Sequence, residues 1–156
     1  MAEPESSAFV GGGSPADVIA AALAARPSAG SLATLAALDP QAISSVEPVD
    51  LLVALDRHAS WVASMRLRAM AAVAGPDPSG DGDNDLSDDP FRADDPVREE
   101  VAVALRVSGA AAGNAITVAR DLDRKLERTG EMLTAGAISY AHAVVMSTEC
   151  ERLTPE

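Results

Sequence analysis

The chain has 156 residues with 24 acidic and 12 basic side chains, a net charge of −12, 47% hydrophobic residues, one cysteine and two histidines, a length that fits one domain of modest size or part of a larger one. The single Cys150 excludes an internal disulfide framework, and the widely separated His58 and His142 exclude a Cys/His zinc cage. The start Met1-Ala-Glu-Pro-Glu is acidic where a signal peptide needs positive charge, and no apolar run reaches the about 20 residues that span a bilayer, so a cytoplasmic chain with no membrane segment, metal or other cofactor is expected.

Residues 1–13 end in Gly11-Gly12-Gly13 without periodicity and are expected to form a disordered tail. Ser14-Pro15 reads as an N-cap with proline at the first helical position, opening a helix over 16–25 that Pro27 ends. A second short helix is expected over 31–38, and Asp39-Pro40 opens a further turn through Ile43. From Pro48 to Ala74, Leu51, Leu55, His58, Val62, Met65, Ala69 and Ala72 alternate steps of four and three, which predicts one long amphipathic helix with those residues inward, Leu52, Ala59, Ala63 and Met70 widening the stripe, and Asp50, Arg57, Ser64 and Arg68 on the outer side.

Residues 75–96 hold eight of the acidic groups and one of the basic ones, so most of the charge excess sits in one segment, and an acidic disordered loop over 75–94 follows. Asp95-Pro96 caps a helix to Arg106, and Ser108 caps another to about Arg128 whose mixed-charge face, Arg120 and Asp121 included, is expected to be solvated. Thr129-Gly130 is expected to break the chain before a short helical turn to Ala135, Gly136 stops that turn, and a last helix runs from Ser139 to about Leu153. No alternation of period two and no internal repeat is present. The fold class is therefore all-α: an irregular helical bundle over 14–156 with one long central helix.

Three patterns bear on chemistry. Asp77, Ser79, Asp81, Gly82, Asp85 and Asp88 fall at calcium-loop positions, but Asn84 replaces the small apolar residue of such loops, Pro78 and Pro90 stiffen the ends and Asp88 replaces the long glutamate, so a solvated linker is the better reading. Val101 to Ala115 fits a helix-turn-helix template in which Arg106 replaces the turn glycine. On the outward face of its second helix only Asn114 and Thr117 can read a base edge, and Arg120 and Arg124 are the first cations, so plain packing of two helices is favoured over reading DNA. His58, His142, Trp61 and Cys150 read as packed residues, and no arrangement in the chain looks catalytic.

The run from Arg98 to Ser108, then Ala119-Arg-Asp-Leu122, Met132-Leu-Thr-Ala-Gly136 and Ile138-Ser-Tyr-Ala-His-Ala143, resembles the domain of unknown function 222 family, also called the 13E12 repeat family, of high-GC Gram-positive bacteria. With Leu51-Leu52, Arg57, Trp61 and Arg66-Leu-Arg68 of the preceding helix, the resemblance covers roughly residues 45–153. It implies a helical region that precedes an HNH endonuclease module, yet the His-Asn-His residues and their flanking cysteine pairs are absent here, so it carries over no catalytic residue. The segment that members often fill with arginine is Gly109 to Ala115, and the chain ends at Glu156, about where members continue into further helices.

The expectation is thus a non-catalytic helical accessory region that packs against a C-terminal nuclease-type part, with DNA a partner only in that longer context and with self-association through exposed apolar helix faces. The rival expectation is a stand-alone module binding protein or DNA through the helix pair 97–128.

Overall fold

The computed structural model describes residues 13–41, 43, 48–75 and 96–153. The expected tail over 1–13, apart from Gly13, and nearly all of the acidic loop lie outside them. Among the described residues there are seven helices and no strand: α1 (Pro15–Ala24), α2 (Ala29–Ala36), α3 (Pro48–Ala74), α4 (Pro96–Leu105), α5 (Gly109–Arg124), α6 (Glu127–Thr134) and α7 (Tyr140–Leu153). The chain divides into two compact units, Met1–Leu55 and Asp56–Glu156, with the boundary inside α3.

In the first unit, Ser14 caps α1 as the sequence requires. Its hydroxyl accepts from Asp17 N and the Asp17 carboxylate accepts from Ser14 N and Oγ. The Ser14 hydroxyl, then the Ser14 backbone, hold the Asp17 carboxyl below the usual carboxylate range. Helix α2 starts earlier than the expected Ser31, because Ser28 and Ser31 cap each other across its first turn. Ile19, Ala22 and Leu35 close a small core with Leu51 and Ala54 of α3. The further turn expected at Asp39 is no helix in the described residues; Asp39 Oδ1 accepts from Gln41 N at 2.9 Å instead.

The second unit is built on α5, which packs against α4, α6 and α7. Its buried Ala112, Ala115 and Ala119 allow close approach, while Ile116, Val118 and Leu122 fill space with Leu67 and Met70 of α3, Val101 of α4 and Leu133 of α6. Helix α5 stops four residues before Arg128, because the Asp121 carbonyl takes the N–H of both Lys125 and Leu126, at 2.8 and 2.7 Å, and turns the chain into α6. Thr129-Gly130 is then no break but part of α6. A β-carbon on Gly130 would stand 3.3 Å from the Leu122 carbonyl oxygen, so this glycine serves helix packing.

Two turns of this unit share one design. After α4, Val107 N donates to Ala102 O and Arg106 N to Val103 O, with Arg106 at φ 56°. After α6, Ala137 N donates to Met132 O and Gly136 N to Leu133 O, with Gly136 at φ 65°. Both close a helix through one left-handed residue. Arg106 carries that conformation at a cost of about 1–2 kcal/mol, with its side chain exposed. Gly136 has no such freedom, since a β-carbon there would lie 2.8 Å from Arg57 O and 2.9 Å from Arg57 Cβ.

Gly136→Ala should therefore lower the unfolding free energy by about 2–4 kcal/mol, combining left-handed strain with overpacking. Gly75 has φ 62° but open space around it, so Gly75→Ala should lose only about 1 kcal/mol. Urea denaturation followed by circular dichroism compares the two, and equal losses would contradict the seating of the α6–α7 turn on Arg57.

Candidate interaction surface

The second half of α3 shows two apolar faces. One packs into the second unit through Leu67 and Met70, with Ala71 and Ala74 partly covered beside them. Ser60 and Ser64 are buried too, and each returns its hydroxyl to its own helix, at Asp56 O (3.0 Å) and Trp61 O (2.8 Å). That local bond lets a serine be buried without a partner across the interface. The expected inward line is covered only at Leu51 and His58; Leu55 is exposed, and beyond His58 it lies bare. Val62 is 43% exposed, Met65 37% and Val73 59%, and Ala69 and Ala72 are exposed between them.

Long-range contacts set this orientation. At one end of the packed segment Arg57 meets the Gly136 turn. In the middle, the Arg66 guanidinium lies 5.8 Å from the centre of the Tyr140 ring, within cation–π range. At the other end, Arg120 of α5 donates to Ala74 O at 3.0 Å and Gly75 O at 3.4 Å, so a cation caps the last carbonyls of α3.

The residues singled out for nucleic acid are placed as follows. Arg120 is half-buried in its capping role, Thr117 is half-buried, and Asn114 and Arg124 are exposed on α5. Helices α4 and α5 meet at a bend of 106° across the three residues Arg106 to Ser108, which is the helix-turn-helix form. Exposed Ala110, Ala111 and Asn114 at the start of α5 carry no charge, and a β-carbon on Gly109 would be 3.1 Å from Glu99 Oε1, so a carboxylate stands at this helix end.

Asp121 departs from its expected solvated face. It is 4% exposed; its Oδ2 accepts from the buried Ser147 hydroxyl at 2.5 Å and its Oδ1 pairs with Lys125 Nζ at 3.1 Å, joining α5 to α7. Beside it, the buried Thr129 hydroxyl points to Met146 Sδ at 3.9 Å. Of the histidines, His58 is buried, whereas His142 is exposed and Cys150 is exposed on α7. The Ser139 hydroxyl accepts from His142 N at 3.3 Å, an N-cap to the first turn of α7, and lies 2.8 Å from His142 Nδ1. The calcium-loop pattern over 77–88 lies outside the described residues. Among the described residues, no group of three or more His, Cys, Asp or Glu side chains is placed to hold a metal ion, and no single helix is long and apolar enough to cross a membrane.

A family model described as a domain of unknown function (DUF222) matches residues 49–156, that is, α3 from its second residue through the whole second unit. No curated protein and no solved structure matches the chain.

Arg120→Ala should lower stability by about 1.5–3 kcal/mol, since it removes charge-assisted bonds to the end of α3. Arg124→Ala, on an exposed side chain, should stay within about 0.5 kcal/mol. Equal denaturation midpoints for the two variants would contradict the capping role.

Proposed function

The chain belongs to the DUF222 family, and from that premise we propose that it is a non-catalytic helical docking module of the cytoplasm. It needs no cofactor and serves as the accessory region of an HNH-nuclease-type protein. Its task is to present a helix face to further polypeptide, its own nuclease-type part included. The bare apolar line of α3 carries this reading: Val62, Met65 and Val73 expose large apolar side chains on a helix whose other face is already packed. Apolar surface gathered on one helix face is the mark of an interaction site, whereas scattered exposed residues are ordinary.

A second reading, a DNA- or protein-binding regulatory module, draws on the 106° bend between α4 and α5. The uncharged start of α5 and the use of Arg120 as a cap weigh against its DNA form, because phosphate neutralisation supplies most of the affinity for duplexes.

The chain should bind a solvatochromic hydrophobic dye, and Val62→Glu with Met65→Glu should remove most of that signal while leaving helicity unchanged. A dye-silent wild-type chain, or a signal untouched by the double variant, would overturn the docking reading. Salt-sensitive binding of mixed duplex DNA that is lost with Arg124→Ala would favour the second.

A further inference from the structure

Within the docking reading above, the charges around the bare face of α3 identify the kind of partner. Residues 57–75 contain Arg57, Arg66 and Arg68 and no Asp or Glu at all, in a chain whose net charge is −12. Val62, Met65, Ala69 and Ala72 step by three, four and three along the helix, the spacing at which one helix receives the apolar seam of another. At 100° per residue Arg66 borders this line on one side and Arg68 on the other. Both are exposed, and the contact of Arg66 with Tyr140 holds its guanidinium at that border. The alanines at 69 and 72 leave room for a second helix axis to come close, and Val62 and Met65 supply larger side chains beside them.

We propose that this face receives an amphipathic α-helix of another polypeptide segment whose apolar seam is bordered by Asp or Glu. A second copy of this chain fits less well, because arginine border would meet arginine border in either orientation of the two helices, and like charges across an interface are unfavourable. An anionic lipid surface fits less well too, since two border arginines oppose the repulsion of a strongly acidic chain.

The test uses two fluorescein-labelled, 18-residue helical peptides of designed sequence with the same Leu/Ala seam, one bordered by Glu and the other by Lys. Fluorescence anisotropy with the full chain should show the Glu-bordered peptide binding about tenfold more tightly, a preference that narrows as salt rises. Arg66→Glu with Arg68→Glu should reverse the preference, the milder Arg66→Gln with Arg68→Gln should narrow it, and Val62→Glu with Ala69→Glu should abolish binding of both peptides. Equal affinities for the two peptides, tighter binding to vesicles of phosphatidylglycerol, or a stable dimer in light scattering that Val62→Glu dissociates would each overturn the proposal. Dye binding lost in Val62→Glu with Met65→Glu, together with equal peptide affinities, would remove the acidic partner while leaving the docking reading in place.

Discussion

Arg120 reaches from α5 to the last carbonyls of α3, and the Gly136 turn rests on the backbone of Arg57 five helical turns earlier. These two attachments fix how α3 is rotated about its own axis, and much else follows from that rotation. Leu67 and Met70 turn into the core with Ser60 and Ser64 buried beside them, while Val62, Met65, Ala69 and Ala72 turn out. A rotation by about one residue would exchange part of the two sets. A charged cap at one end and the close seating of a glycine at the other thus decide which apolar surface is left for a partner.

The core has little redundancy against which to lose those attachments. Three of the six buried apolar residues of α5 are alanines, whose burial contributes less than that of Leu or Ile. Fixed polar contacts add directional restraint. Asp121 ties α5 to α7 through Ser147, and its pairing with Lys125 satisfies its other oxygen. A buried carboxylate with both oxygens engaged is tolerable, whereas loss of either partner would leave a buried charge poorly compensated.

Much of the fold is legible in the sequence because local rules dominate it. Ser14-Pro15, Pro48 and Gly136 act locally, and their helix boundaries match the structure. The period of α3 is equally plain, but its phase is not. The line from Leu51 to Ala72 is the most apolar in the segment, and pattern alone assigns it to the core. Leu51 and His58 follow that assignment, but beyond His58 the chain packs the neighbouring line, where Ser60 and Ser64 satisfy their hydroxyls within their own helix and can be buried cheaply. Asp121 and Gly130 mislead for a related reason: a charged face suggests solvent and a glycine suggests a break, until a hydroxyl on α7 and the Leu122 carbonyl are seen beside them. The left-handed conformation of Arg106 is foreseeable from its position at the turn, where a glycine is usual.

The rotation of α3 can be read directly by introducing single cysteines in a Cys150→Ser background and measuring alkylation rates under native conditions. Val62→Cys, Met65→Cys and Ala69→Cys should react rapidly, and Ser64→Cys, Leu67→Cys and Met70→Cys at least about tenfold more slowly, at the rate of local opening. The opposite order, with positions 64, 67 and 70 fast and positions 62, 65 and 69 protected, would show that the apolar line is core and would contradict the account of α3 as a docking helix.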